Sequence, residues 1–267
     1  MSSAGDGKSR VLVERQGAVA TVALSNPGTL NALTAAMWRD LGEAMAALSA
    51  QDELRCVVVR GAGREAFAAG ADIAEFAAVR DNAEQGKHYH RELVRRALDA
   101  VAACRHPTVA MIHGACVGGG FEIACQCDLR IAGRSGRFGV PINRLGFAIA
   151  YDELAALLPL AGRAVVLELL LEGRILDAQE AHAKGLVTRV VPDDEVEREC
   201  RATVERIAEG APLVNRWHKQ FARRLAPRPA PLTPEEIEAN FAYFETEDYR
   251  EGMAAFAEKR RPRFTGR

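Results

Sequence analysis

The residues His113-Gly114-Ala115-Cys116-Val117-Gly118-Gly119-Gly120-Phe121-Glu122 decide the fold, because they join the end of a buried strand to the start of a helix. Glycines let a backbone approach a ligand closely, and the first turn of a helix carries N–H groups without intrahelical partners. Such donors, together with the helix dipole, suit an oxygen that becomes negative during a reaction. Glu122 lies about one helical turn beyond Gly119, so its carboxylate can share that site. The pattern is equally consistent with a glycine-mediated strand–helix contact and a solvent-facing glutamate.

Strands and helices alternate on both sides of this segment. Arg55–Arg60 and Pro107–His113 are apolar on both faces, as buried parallel strands are. The periodicity predicts helices at Leu33–Leu48 and Glu84–Cys104, whereas Phe67–Asp81 is rich in small residues and has no clear period. Further strands are predicted at Val11–Glu14, Val19–Leu24, Leu129–Ala132 and Arg137–Val140, and a short helix at Phe121–Cys127. This alternation fits ββα turns stacked into a spiral, and it also fits other α/β sheets.

The C-terminal part of the chain has a different pattern. From about Asp193 onward it is almost wholly helical, and the proline-rich stretch 226–231 separates two of the candidate helices. The candidates are Glu195–Ala208, Pro212–Leu225, Pro234–Phe244 and Asp248–Lys259. We therefore predict a spiral α/β core at residues 1–192, with residues 1–10 as a loose tail, and a helical region at 193–267.

Composition excludes several classes of protein. The 267 residues are 48% hydrophobic and 27% charged, a balance typical of a compact globular chain. A net charge of -1 gives no field that would attract nucleic acid or an anionic membrane. We expect no membrane-spanning segment, no secretory signal and a cytoplasmic protein with reduced cysteines. Cys125 and Cys127 form a C-x-C pair without a second ligand cluster, so we predict no metal site.

A second segment, Phe67-Ala68-Ala69-Gly70-Ala71-Asp72-Ile73, precedes the glycine-rich one by about forty-five residues. In combination the two resemble the enoyl-CoA hydratase/isomerase (crotonase) superfamily. Three later segments are similar to that family in the same order, and the resemblance covers about Val11 to Phe264. They are Arg137–Gly146, Ala183–Val187 and Glu251–Arg260. The resemblance implies a crotonase-like spiral of ββα turns with a helical C-terminal region that assembles trimers, often paired into hexamers.

The resemblance also implies an acyl-CoA thioester as substrate and an enolate as intermediate. The backbone N–H groups of Ala71 and Gly119 would form the oxyanion hole around the thioester carbonyl. Glu122 matches one of the two glutamates that the family's hydratases use as acid and base. No metal or redox cofactor is implied, since coenzyme A arrives as part of the substrate, and fatty acid metabolism is the expected context.

Other residues are expected to contact the substrate. Lys259 matches a position associated with the coenzyme A moiety, although an exposed lysine at a helix end is an equally good interpretation. Arg64 is a candidate for the coenzyme A phosphates, one residue away from the family's basic position. The remaining substrate-binding candidates are Ala69, Asp72, Ile73, Gly118, Ile142 and Phe147.

One position departs from the family pattern. The second hydratase glutamate should follow Pro141, but Ile142 stands there and can neither transfer a proton nor hold a water molecule. A standard two-glutamate hydratase is therefore not encoded in this segment, and the family's double-bond isomerases lose support too. The nearby residues Tyr151, Asp152 and Glu153 are candidates for a second polar group, although acidic residues also favour the start of a helix.

Three other functions compete with hydration. A dinucleotide-binding fingerprint is matched by Gly61-Ala62-Gly63-Arg64-Glu65-Ala66. Such a fingerprint also needs an acidic residue at the end of the next strand, about twenty residues on, and the sequence there is polar and predicts no strand. Another enolate reaction, such as isomerisation, decarboxylation or carbon–carbon cleavage, stays open because of Ile142. A non-catalytic acyl-CoA-binding protein is the third alternative, against which the retention of Glu122 argues. We expect an enzyme with hydro-lyase chemistry on an enoyl-CoA.

Overall fold

The computed structural model describes residues 8–225 and 233–265. Residues 1–7 of the expected tail and the proline-rich stretch 226–231 lie outside the described residues. The described strands are β1 (Arg10–Gln16), β2 (Val19–Ser25), β3 (Cys56–Gly61), β4 (Ala66–Ala68), β5 (Thr108–Ile112), β6 (Ala115–Val117), β7 (Leu129–Gly133), β8 (Arg137–Gly139), β9 (Leu176–Asp177) and β10 (Arg189–Val191). The first strand thus begins within the segment that was expected to be a tail.

The helices account for most of the remaining chain. Short 3-10 turns lie at Ile73–Glu75, Ile142–Leu145, Asp193–Glu195 and Ala242–Glu245. The described α-helices are α1 (Ala35–Ser49), α2 (Phe76–Val79), α3 (Ala83–His88), α4 (Arg95–Ala103), α5 (Gly119–Gln126), α6 (Tyr151–Glu172), α7 (Ala178–Ala183), α8 (Val196–Glu209), α9 (Pro212–Leu225), α10 (Pro234–Asn240) and α11 (Glu247–Ala257).

The strands form two sheets, which the chain visits in turn. One sheet has the order β1-β2-β3-β5-β7-β10 and the other β4-β6-β8-β9. The pairs β3–β4, β5–β6 and β7–β8 each place one strand in each sheet, and helices connect one pair to the next. Within each sheet these strands pair in parallel. The predicted spiral of ββα turns is therefore confirmed.

The spiral depends on tight corners between the two sheets. Between β5 and β6 the corner is Gly114, whose φ is +52°. A Cβ on this residue would lie 1.9 Å from the carbonyl oxygen of Glu65, so no other residue fits here without displacing the backbone. The corner directs β6 into the second sheet and carries the chain toward α5.

The predicted helix at Glu84–Cys104 is wrong in its middle. The segment consists of α3, a π-helical turn at Tyr89–Val94, and α4. A π turn inserts one residue into the helical repeat and rotates the side chains that follow, and such turns are frequent at functional sites. The apolar periodicity is nearly the same in both cases, so the pattern of the sequence did not reveal it.

The expectation that no segment has the length and hydropathy of a membrane span is wrong for α6. This helix has 22 residues and passes both criteria. Gly162, with φ +72° and ψ 162°, breaks it into two shorter helices. Leu157, Val166 and Leu169 are buried and belong to the main hydrophobic core, which accounts for part of the helix's apolar character.

The C-terminal region packs against the spiral at two places. Helix α8 contributes Val196, Cys200 and Val204 to a core cluster with β3, β5 and β7. Further on, Phe241, Phe244 and Tyr249 form a second cluster, which Phe147 joins from the segment before α6. This aromatic cluster covers one side of the cavity described next.

Candidate active site

A cavity of about 350 Å³ lies where α5, the π turn, the Pro141–Phe147 segment and the start of α6 meet. Its wall includes Ala69, Gly70 and Ala71 from one glycine-containing segment, together with Gly118 and Gly119 from the other. The two segments that carry the family resemblance, about forty-five residues apart in sequence, are thus brought together on one cavity.

The backbones of these two segments are in direct contact. A Cβ on Gly118 would lie 3.5 Å from the Cα atom of Gly70. The residues that follow these two glycines, Gly119 and Ala71, are therefore brought close to each other. The N–H of Leu33 donates to the carbonyl oxygen of Gly70 (2.7 Å), and that of Asp72 donates to the carbonyl oxygen of Leu33 (2.8 Å). These bonds fix the first segment at residues 70 and 72 and leave the N–H of Ala71, between them, unused among the described residues.

The second donor is at the start of a helix. Gly119 is the first residue of α5, where an N–H has no intrahelical acceptor. The residue must be glycine, because a Cβ would lie 2.6 Å from Cζ2 of Trp38 and 3.1 Å from Cδ1 of Leu33. Two N–H groups that have no partner among the described residues, on adjacent segments, form the arrangement that stabilises a developing oxyanion.

Glu122 lies one turn further along α5 and is 5% exposed. Burial raises the pKa of its carboxyl well above the usual value, and the negative charge of Glu153 raises it further. The positive charge of Arg80 opposes this shift in the pKa. Glu122 therefore keeps its proton to higher pH than an exposed glutamate does, as a proton donor requires.

Glu153 brings a second carboxylate into the cavity and is also 5% exposed. Its Oε1 contacts Nδ1 of His90, while its Oε2 accepts a hydrogen bond from the N–H of Ala150 (3.4 Å). His90 belongs to the π turn, is buried, and lines the same cavity. A carboxylate and an imidazole in contact can accept and release a proton at the cavity wall.

Of the three residues predicted as alternatives to the missing glutamate, only Glu153 lines the cavity. Asp152 points away and its Oδ2 accepts a hydrogen bond from Arg95 (3.2 Å). Tyr151 is 38% exposed and is likewise outside the cavity wall. Successive residues of a helix point in directions about 100° apart, so the first turn of α6 can direct only one of the three inward.

The structure also places the other predicted site residues. Five of them line the cavity: Ala69, Ile73, Gly118, Ile142 and Phe147. Asp72 does not; its Oδ1 accepts from the N–H of Ala74 (3.1 Å) and its Oδ2 from Nδ2 of Asn26 (3.2 Å). These bonds hold the turn that carries Ala71, so Asp72 supports the oxyanion hole and contacts no part of the cavity.

The two residues expected to bind coenzyme A lie away from the cavity. Arg64 forms an ion pair with Glu197 at 2.7 Å. Lys259 follows the end of α11 with a φ of +53°, whereas Phe256 on the same helix lines the cavity. Since most of coenzyme A extends beyond the acyl cavity, the roles of Arg64 and Lys259 stay predictions.

Sequence reasoning missed several residues of the cavity wall. Arg80, Tyr89 and His90 lie in the segment that has no clear period or in the π turn. Trp38 is part of the hydrophobic face of α1, and its Nε1 donates to the Tyr89 hydroxyl (2.9 Å). The adjacent polar residues Tyr89 and His90 on the buried face of an otherwise regular helical pattern are the signal that could have identified this wall.

Fold and site together define the class of protein: an enzyme that holds a thioester carbonyl in an oxyanion hole beside two buried carboxylates. Comparison with known proteins agrees, since the family described as Enoyl-CoA hydratase/isomerase matches residues 14–267. The chain belongs to the enoyl-CoA hydratase/isomerase family.

Relatives from both sequence and structure cover nearly the whole chain. It is 36% identical over 265 residues to a probable enoyl-CoA hydratase of Mycobacterium tuberculosis, covering 96% of this chain and 98% of the relative. The structure of an enoyl-CoA hydratase/carnithine racemase from Magnetospirillum magneticum is 52% identical, with a TM-score of 0.80 and 96% of each chain covered. The structure of a methylmalonyl-CoA decarboxylase in complex with 2-nitronate-propionyl-CoA is 31% identical, with a TM-score of 0.84 and 96% and 98% covered.

Proposed function

We propose that this protein hydrates a 2-enoyl-CoA with Glu122 and Glu153 as its acid–base pair. The observation that carries the proposal is the position of Glu153, which lines the same cavity as Glu122 and the two oxyanion donors. Ile142 removes the glutamate expected after Pro141, and Glu153 supplies a carboxylate from a different element.

The reaction follows from this geometry. The thioester oxygen accepts hydrogen bonds from the N–H groups of Ala71 and Gly119. Glu153, in contact with His90, accepts a proton from a water molecule whose oxygen forms a bond to the β-carbon. The electron pair of the double bond moves onto the thioester oxygen as an enolate, and its return to the α-carbon takes up the proton of Glu122. The product is the 3-hydroxyacyl-CoA, and transfer of one proton from Glu153 to Glu122 restores the enzyme.

A second candidate is decarboxylation of a malonyl-type thioester, which needs the same enolate stabilisation. The decarboxylase structure has a higher TM-score than the 52% identical hydratase/racemase structure, 0.84 against 0.80. Pro141, Ile142 and Leu145 add apolar surface to the cavity wall, which Arg144 also lines, and an apolar environment favours loss of a charged carboxylate as CO₂. The two buried carboxylates favour hydration instead, because decarboxylation needs no base.

Product identification separates these reactions. Purified protein would be incubated with crotonyl-CoA and, separately, with methylmalonyl-CoA, and the products analysed by mass spectrometry. Formation of 3-hydroxybutyryl-CoA supports the hydratase. Release of CO₂ from methylmalonyl-CoA without hydration of crotonyl-CoA would establish the decarboxylase. Binding of both thioesters without turnover would leave an acyl-CoA-binding protein.

Three further features belong to this proposal. We expect no metal or redox cofactor, since coenzyme A arrives with the substrate, and we place the enzyme in cytoplasmic fatty acid metabolism. We also expect a homotrimer or a dimer of trimers. Exposed apolar side chains repeat along one face of α9 and would support such an assembly; they are Leu213, Trp217, Phe221 and Leu225.

A further inference from the structure

Arg80 is a buried cation without an ionic partner. Its side chain lines the cavity although the residue is only 2% exposed. Within residues 8–225 and 233–265, no carboxylate oxygen lies within 4.0 Å of its guanidinium nitrogens, so Arg80 forms no ion pair there. One of its terminal nitrogens donates to the hydroxyl of Tyr243 (3.2 Å), and its Nε has no partner among the described residues.

Aromatic rings hold the guanidinium in place. Its central carbon lies 4.3 Å from the ring centroid of Phe76 and 4.5 Å from that of Phe147. The rings of Tyr89 and Phe244 are at 5.5 and 5.9 Å. Cation–π contacts of this kind offset part of the cost of removing a charge from water, but they provide no hydrogen-bond acceptor for Nε.

The two glutamates of the cavity do not neutralise this charge. Glu153 is occupied by His90 and by the N–H of Ala150. Glu122 has a raised pKa, so its carboxyl is held in the neutral form to higher pH than usual. The cavity therefore presents a buried positive charge next to its aromatic rings, as a site for an anionic group would, whereas the second arginine of the wall, Arg144, is exposed.

We infer that Arg80 binds a carboxylate on the acyl chain, so that the substrate is an enoyl-CoA whose acyl group ends in a carboxylate. This inference rests on the proposed binding of an acyl-CoA with its thioester at Ala71 and Gly119. The coenzyme A phosphates are excluded as partners of Arg80 by space: a side chain 2% exposed in a cavity of about 350 Å³ admits an acyl group but no solvated diphosphate. A planar guanidinium whose Nε has no partner among the described residues matches a carboxylate in shape and charge.

Binding tests the inference without any turnover. Glutaryl-CoA and pentanoyl-CoA have the same chain length and differ in a terminal carboxylate against a methyl group. Their dissociation constants would be measured by calorimetry with the wild-type protein, with Arg80→Met and with Arg80→Lys. We expect glutaryl-CoA to bind at least about 10-fold tighter to the wild type, Arg80→Met to lose that preference, and Arg80→Lys to retain part of it. Equal affinities of the two ligands for the wild type would overturn the inference, even if neither variant folds.

Turnover separates this inference from the proposed function. The matched substrates are glutaconyl-CoA and pent-2-enoyl-CoA, and the readout is the ratio of their kcat/KM values. Any effect of Arg80→Met on the pKa of Glu122 affects both substrates and cancels in the ratio. A wild type that hydrates both equally would contradict the carboxylate site while leaving the hydratase. A wild type that prefers glutaryl-CoA in binding but hydrates neither substrate would support the carboxylate site and contradict the hydratase.

Discussion

At the scale of single residues, the proposed mechanism depends on two carboxyl groups that differ in environment. Glu122 is buried and its carboxyl has no hydrogen-bond partner among the described residues, whereas Glu153 contacts an imidazole and a backbone N–H. A carboxyl group whose pKa is raised by burial is suited to the role of proton donor. The charge of Glu153 itself contributes to the raised pKa of Glu122, so a change at Glu153 should alter the protonation of Glu122.

This coupling predicts the effect of Glu153→Gln on Glu122. Removing the negative charge of Glu153 removes a cause that raises the pKa of Glu122, so that pKa should fall. The protonated carboxyl of Glu122 would be followed by difference infrared spectroscopy as a function of pH. Its loss should occur at lower pH in Glu153→Gln than in the wild type, and Asp152→Asn, outside the cavity, should cause no shift. An unchanged titration in Glu153→Gln would show that the two carboxyl groups do not interact.

The buried Glu122 should also cost stability. Its pKa in the folded state is raised above the unfolded value of about 4.5. The protein therefore has its full stability below that pH, where Glu122 is protonated in both states, and loses stability as pH rises toward the folded pKa. Glu122→Gln, which carries no charge, should therefore raise the free energy of unfolding at pH 8 by of the order of 1–3 kcal/mol. The gain should disappear near pH 4. Denaturant unfolding at both pH values measures it, and a variant less stable than the wild type at pH 8 would contradict the assignment.

At the scale of elements, the site depends on where α5 begins. Gly119→Ala would place a Cβ 2.6 Å from Trp38, which must push the start of the helix away from Ala71. We expect kcat to fall at least about 100-fold, the cost of losing one oxyanion donor. Gly42→Ala in α1 is the matched control, because its Cβ would make an ordinary contact of 3.5 Å with Ala97. Full activity in Gly119→Ala would show that the donor at this position is not required.

The elements also show how far the sequence could predict the structure. The alternation of buried strands and helices predicted an α/β fold, because β3 and β5 are apolar on both faces and α1 has a clear helical period. The spiral was one of the folds consistent with that alternation, and the family resemblance selected it. The π turn at Tyr89–Val94 was not predicted, since inserting one residue into a helix hardly changes its apolar pattern. Arg80 and His90 were missed for a different reason: tertiary packing brings them to the cavity that Glu122 and Glu153 line.

At the scale of the whole molecule, the apolar face of α9 needs a partner if the proposed trimer is correct. Trp217 and Phe221 are 49% and 57% exposed in the single chain. Replacing both by glutamate should convert the assembly into a monomer of 28.9 kDa, as measured by light scattering after size-exclusion chromatography. Gln220→Glu, a control on the same helix, should leave the assembly intact. A wild-type protein that is already monomeric would contradict the trimer.

The central claim is that Glu153 replaces the glutamate absent at Ile142, and one kinetic comparison tests it most directly. Hydration of pent-2-enoyl-CoA would be followed by loss of the absorbance of the conjugated thioester in four proteins: wild type, Glu122→Gln, Glu153→Gln and Asp152→Asn. We predict that kcat falls at least about 100-fold in Glu122→Gln and in Glu153→Gln and stays within about threefold in Asp152→Asn. The affinity for the thioester should be nearly unchanged in all three variants. A Glu153→Gln variant that hydrates the substrate at the wild-type rate would contradict the account.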